Sequence, residues 1–188
     1  TDLILLDDNG TIRRASYESD KWVVQPMTEW AADSSGAAPG TYRLLLEDLD
    51  NNGSPDLVAS GNGRSQTWLS TDDGRFTALP ATPSAEIFSI VDLNDDGLLD
   101  LVGLSNGQPA QWLGHGTKGY DWQVIRPRAQ ENAGDQRINS FGIGGEVEIR
   151  SGLLTERQSI VSNTVHFGLG TRNGVAVTRI VWPNDVVQ

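Results

Sequence analysis

One nine-residue pattern constrains this chain more than any other feature. Asp92-Leu93-Asn94-Asp95-Asp96-Gly97-Leu98-Leu99-Asp100 carries oxygen-bearing side chains at its first, third, fifth and ninth positions. The spacing recurs 44 residues earlier, in Asp48-Leu49-Asp50-Asn51-Asn52-Gly53-Ser54-Pro55-Asp56. The candidate ligands are Asp48, Asp50, Asn52 and Asp56 in the first copy, and Asp92, Asn94, Asp96 and Asp100 in the second. Ser54 and Leu98 hold the seventh position, Leu98 with only a backbone carbonyl to offer. Alternate residues of a tight loop can aim their oxygens at one centre, which suits calcium, a hard cation that takes six to eight oxygen ligands. Gly53 and Gly97 stand where the chain must turn sharply and a Cβ would obstruct it. A single such nonamer in an acidic chain also reads as a solvated turn; two in matching contexts favour a metal loop.

The loops are not EF-hands, which need a Glu at position twelve and a helix on each side. Position twelve is Ala59 in one copy and Gly103 in the other. The flanks are apolar and rich in β-formers: Tyr42–Leu46 and Ile87–Val91 before the loops, Leu57-Val58 and Leu101-Val102 after them. Each loop therefore reads as the tip of a β-hairpin.

The flanks extend the repeat. Asp2-Leu3-Ile4-Leu5-Leu6 matches Asp56-Leu57-Val58-Ala59-Ser60 and Asp100-Leu101-Val102-Gly103-Leu104, and each is followed by an Asn-Gly turn. A Trp-bearing segment comes next, at Trp22, Trp68 and Trp112. The unit is a calcium hairpin and two further strands, four short strands in about 44 residues, the size of one propeller blade. Asp2 would be the last ligand of a third loop whose other ligands precede residue 1. The wider first spacing points to an inserted loop over 26–40, with a short helix at Met27–Ala32 as an alternative for its start. The expected repeat region is 1–128: a partial unit over 1–25, the insert, then repeats over 41–80 and 81–125, with Tyr120–Arg128 closing it. A linker follows around 126–135. The remainder, 129–188, is a separate small β domain, in which Glu146–Arg150 alternates with Val147 and Ile149 inward. Gln158–Val165 and Val175–Trp182 read as further strands.

Charge supports the metal reading. The chain has 25 acidic and 14 basic residues, a net charge of −11. Residues 1–128 hold 19 of the acids and 9 of the bases, so the acidic part is the part with the loops. Nucleic acid is an unsuitable partner, because its binders need basic patches. No apolar run is long enough to span a membrane, and without cysteine there is neither a disulfide framework nor a Cys–zinc site. Catalytic signatures are equally thin. His115 sits between glycines, His166 opens a Phe-Gly-Leu-Gly run, and no nucleophile elbow is present. The Trp residues read as core packing, with a sugar-stacking row as the alternative.

On these residues, the first part resembles the FG-GAP/VCBS repeat family, through the D-x-[DN]-x-[DN]-G-x-x-D loop followed by a Leu-Val strand. That resemblance implies propeller blades braced by calcium. The second part resembles the ASPIC/UnbV domain, through Asn139–Val147, His166-Phe167-Gly168-Leu169-Gly170 and Ile180-Val181-Trp182-Pro183-Asn184. The family continues past its Trp-Pro segment into a further strand, whereas this chain stops at Gln188. The two domains commonly occur together in this order in secreted proteins.

The expected fold is all-β: propeller-type four-stranded repeats in an incomplete or open set, followed by a small β-sandwich-like domain. The expected function is non-enzymatic, a calcium-bound structural or adhesion protein outside the cell or on its surface. Calcium would occupy two sites. A protein partner or another copy would complete the open strands, giving an oligomer or fibre, unless the chain is part of a larger protein. The alternatives are a propeller-borne enzyme of a biosynthetic or polysaccharide pathway and a carbohydrate-binding module.

Overall fold

The computed structural model describes residues 2–31, 38, 40–71, 73–129 and 139–188. Among them there are fifteen β-strands and no helix. The chain divides into two compact units. The first comprises 1–49 and 54–115; the second comprises 116–188 together with Asp50–Gly53, the tip of the first acidic loop.

The first unit contains three antiparallel sheets. Strands β1 (Asp2–Leu6), β2 (Thr11–Glu18) and β3 (Lys21–Glu29) form sheet 1 in that order. Sheet 2 is four-stranded: β4 (Tyr42–Glu47), β5 (Asp56–Gly61), β6 (Arg64–Ser70) and β7 (Phe76–Ala78). Sheet 3 consists of β8 (Glu86–Val91), β9 (Asp100–Ser105) and β10 (Gln108–Trp112). Both acidic loops join antiparallel neighbours, β4 to β5 and β8 to β9, as the flanking sequences predict.

Side chains alternate across a strand, and this alternation stacks the sheets. Leu57 and Ala59 of β5, with Trp68 of β6, pack in one core with Ile12, Ile4 and Leu6 of sheet 1. Val58, between them in sequence, packs the opposite way, into a core with Ile87, Leu101 and Trp112 of sheet 3. Sheet 2 is thus covered on both faces, and β5 is buried along its whole length. Central strands covered on both sides are the ones that can be apolar at consecutive positions.

The Trp residues are not a row. Trp68 stands opposite Leu57 and Trp112 opposite Leu101, but the residue opposite Leu3 is Ala15. Trp22 lies further along, opposite Tyr17. Trp68 is 2% exposed and Trp22 is 52% exposed. Core packing accounts for Trp68 and Trp112, and a stacking platform of all three does not exist.

Strand β3 runs to Glu29, so Met27 is in a strand, not a helix. Residues 32–37 and 39 of the expected insert, and 130–138 of the expected linker, lie outside the described residues.

In the second unit, β12 (Glu146–Ser151) is the centre of a sheet flanked by β13 (Leu154–Ser159) and β15 (Val177–Val181). Strand β11 (Asp121–Ile125) pairs with β14 (Val165–Gly170). Sequence reasoning assigned β11 to the repeats and put the boundary at 128; its partner places it in the second unit, which begins at Gly116. The expected strand over 158–165 is split: Gln158 and Ser159 end β13, Val165 opens β14, and 160–164 connect the two. There Ser162 Oγ donates to the Thr164 carbonyl and accepts from the Thr164 amide, a local turn that competes with extended pairing. Val147 and Ile149 face inward as expected, joined in the core by Phe167 and Leu169 of the Phe-Gly-Leu-Gly run. The glycines before β12 sit where the chain is closely approached. A Cβ on Gly145 would lie 2.4 Å from the Val181 carbonyl oxygen, and one on Gly142 would lie 2.8 Å from the Trp182 ring.

Candidate metal centre

The two loops share a backbone. The fourth residue is left-handed in both, Asn51 at φ 60° and Asp95 at φ 58°. So is the sixth, Gly53 at φ 91° and Gly97 at φ 80°. Asn and Asp tolerate that region and Gly enters it freely, which explains the residue types at these two positions.

The ninth residue performs the same task in both copies. Asp56 Oδ2 accepts the Leu49 amide at 2.8 Å, and Oδ1 accepts the Ser70 amide at 2.7 Å. Asp100 Oδ2 accepts the Leu93 amide at 2.8 Å, and Oδ1 accepts the Gly114 amide at 2.7 Å. All these positions are related by the 44-residue repeat. Each carboxylate thus ties the start of its loop to the end of the third strand of its unit. A carboxylate has about four lone-pair sites, so two amides leave room for a metal bond. Sequence reasoning named this Asp as a candidate ligand and missed it as a brace.

In the first loop, Asp48, Asp50 and Asp56 converge, each offering an oxygen within 4.8 Å of the other two. Asp48 is 5% exposed and Asp56 is fully buried. Three carboxylates this close repel one another unless a cation lies among them. Glu47 precedes Asp48 in the chain. Burial, and then the charge of Asp48, push its carboxyl up to about 7 from an ordinary 4.5. Asn52 donates its amide to Asp50 Oδ1 at 3.2 Å. Of the predicted first-loop ligands, Asp48, Asp50 and Asp56 are therefore brought together; Asn52 and Ser54 stand beside them on the same loop.

The second loop is arranged differently. Asp92 Oδ2 accepts the Gly97 amide at 2.9 Å, and Asp96 Oδ1 accepts the Leu98 amide at 2.8 Å. Asn94 Nδ2 donates to Asp96 Oδ2 at 2.9 Å. These bonds lie within the loop, and among the described residues only the first loop gathers three carboxylates. At the start of the chain, the Asp2 carboxylate accepts from Arg14 Nε at 2.8 Å.

Two neighbours of the first loop were not legible as such. Lys118 Nζ lies 2.7 Å from Asp50 Oδ2. His166 Nε2 hydrogen-bonds Asn51 Oδ1 at 2.7 Å, with the Trp122 ring stacked on the imidazole. The Gly170 amide donates to the Asn51 carbonyl at 2.7 Å. The opening residue of the Phe-Gly-Leu-Gly run therefore holds the loop tip, within the second unit.

The Glu47 shift gives a signed expectation. Its folded pKa is raised, so ionising it costs stability. The cost is absent below about pH 4.5, grows as pH rises, and is complete above about 7. Without calcium, the protein should lose about 2 kcal/mol over that window, allowing for solvent screening of a half-buried group. Glu47→Gln should flatten this dependence in chemical denaturation series run at several pH values with chelator.

No protein-family model, curated protein or solved structure matches the chain.

Proposed function

We propose that this chain is a non-enzymatic, calcium-binding structural module of the FG-GAP/VCBS type, with blade-like sheets and an ASPIC/UnbV-like second domain, working in adhesion or assembly outside the cell or on its surface. The observation that carries the reading is the convergence of Asp48, Asp50 and Asp56 in a loop whose backbone recurs 44 residues later.

Asp48, Asp50 and Asp56 would hold the ion, with Asn52 and Ser54 adding oxygens. Calcium supplies positive charge that cancels their repulsion and locks the hairpin tip. The second loop would bind more weakly, because among the described residues it does not gather three carboxylates. Affinities of about 10⁻⁴–10⁻³ M suit extracellular modules, where calcium is plentiful.

Calorimetric titration tests this directly. The wild type should bind calcium at the first loop, and Asp48→Asn/Asp50→Asn should lose that site. No heat of binding in wild type at millimolar calcium contradicts the reading. Lys118→Ala should tighten the first site a few-fold, since it removes a positive charge beside a ligand.

A further inference from the structure

The sheet of β13, β12 and β15 buries one face and presents the other. Val147, Ile149 and Ile180 pack in the core, so Glu146, Glu148 and Arg150 of β12 point the opposite way. The register places Arg157 of β13 and Arg179 of β15 directly opposite Glu148, one on each side. Three guanidinium groups therefore surround one carboxylate. Arg157 Nη2 donates to Glu148 Oε2 at 2.7 Å. Arg150 donates to Glu148 Oε1 through Nη2 at 3.1 Å and through Nε at 3.3 Å. Arg157 Nε also lies 3.2 Å from Glu146 Oε1. Arg179 Nη1 is 4.0 Å from Glu148 Oε2, too far for a hydrogen bond, and its guanidinium makes none among the described residues.

Stability alone does not explain this arrangement. Exposed ion pairs contribute little, and like charges crowded on one face of a sheet repel. One carboxylate has about four lone-pair sites and cannot satisfy three guanidiniums with five N–H donors each. Glu148 is 7% exposed, whereas the three arginine side chains are 46% to 60% exposed. The carboxylate is enclosed, and the cations it holds face water. Arg157, and then Arg150, keep the Glu148 carboxyl below the usual carboxylate range, so the hub stays charged. Three arginines against Glu146 and Glu148 leave the patch one positive charge (3 − 2), in a chain whose net charge is −11.

We propose that Arg150, Arg157 and Arg179 bind a sulfate or carboxylate group of an acidic polysaccharide on the outer face of this sheet. Guanidinium N–H groups pair with such oxyanions in a planar, two-pronged fit. Arg157 and Arg179 both approach Glu148 Oε2, so one group can take the donors that Glu148 leaves over on each. The carrier follows from the rest of the face. Thr155 and Ser159 stand exposed, two residues to either side of Arg157, with hydroxyls suited to sugar hydroxyls. Among the described residues of this face, Val177 alone is an exposed apolar side chain, so a peptide has little to anchor on. A single excess charge also falls far short of what a nucleic acid backbone requires. The proposal deepens the adhesion part of the proposed function and rests on that reading for its setting, not on calcium.

Calorimetric titration of the full chain in chelator tests this, with dextran sulfate and polygalacturonate as probes and plain dextran and polyglutamate as controls. At least one acidic polysaccharide should bind, more weakly as salt rises, and plain dextran should not. Arg179→Gln should lower the affinity about tenfold, the loss of one charge-assisted pair. Its circular dichroism and melting temperature should not change, because Arg179 makes no hydrogen bond to Glu148. Arg43→Gln, the same loss of charge at an exposed position of β4, should leave the affinity as it is. Failure of both polysaccharides to bind overturns the proposal. So does an Arg179→Gln variant that binds like wild type, or an Arg43→Gln variant that loses as much, which would reduce the effect to bulk charge. Polyglutamate binding as tightly as the polysaccharides overturns the assignment of the carrier. Polysaccharide binding in chelator by a chain that shows no heat with calcium supports this site and removes the calcium reading.

Discussion

Asp56→Ala is expected to cost about 4 kcal/mol in the absence of calcium and to abolish stabilisation by calcium at the first loop. The arithmetic is local. The carboxylate accepts two backbone amides, from Leu49 and Ser70, and Ser70 is 3% exposed. Each amide deprived of a charged acceptor costs about 1.5–3 kcal/mol when water cannot replace it. Relief of repulsion with Asp48 and Asp50 returns part of this. Asp100→Ala should cost roughly half as much, because Leu93 is exposed and Gly114 half-exposed, so water can reach the freed amides. Urea denaturation of both variants checks the ranking. Equal costs would mean that the amide brace is not what these residues supply.

Gly103→Ala is expected to cost about 3 kcal/mol, although the change is one methyl group. A Cβ at this position would lie 2.2 Å from the Glu86 carbonyl oxygen and 3.1 Å from Ile87 Cα. Both obstacles are backbone, so no side-chain rotation relieves them. The cause is the irregular pairing of β8 with β9 between Ile87 and Ser89, which draws the chain over Gly103. The equivalent residue in sheet 2 is Ala59, where β4 and β5 pair in regular register and the methyl fits the core. A lower urea midpoint with an unchanged m-value is the expected signature.

These cases also show what could be read from the residues beforehand. The acidic loops, their hairpins and the strands after them were legible because each is encoded locally. A turn needs its glycine at a fixed place, and a strand covered on both faces is apolar without interruption, as Leu57-Val58-Ala59 is. The inward alternation of Val147 and Ile149 was legible for the same reason. Partnership across long separations was not. Asp121–Ile125 is a plausible strand in any sheet, and nothing in its pattern names Val165–Gly170 as its neighbour. The Trp recurrence misled because Trp22 lies 12 residues beyond Gly10 of its turn and Trp68 only 5 beyond Gly63, so the two hold different register positions. At the site, spacing identified the carboxylates. It did not distinguish the loop that gathers three carboxylates from the one that does not, because the two share one spacing.

The central claim is that calcium joins the carboxylates of the first loop and so stabilises the fold. Thermal unfolding of the wild type in chelator and in calcium at about 100 times its dissociation constant tests it most directly. Binding to the folded form alone then contributes about 2.7 kcal/mol, which for a chain of this size raises Tm by about 5–10 °C. The account predicts that rise in wild type and its loss in Asp48→Asn/Asp50→Asn. Coincident melting curves for the wild type in chelator and in calcium would contradict it.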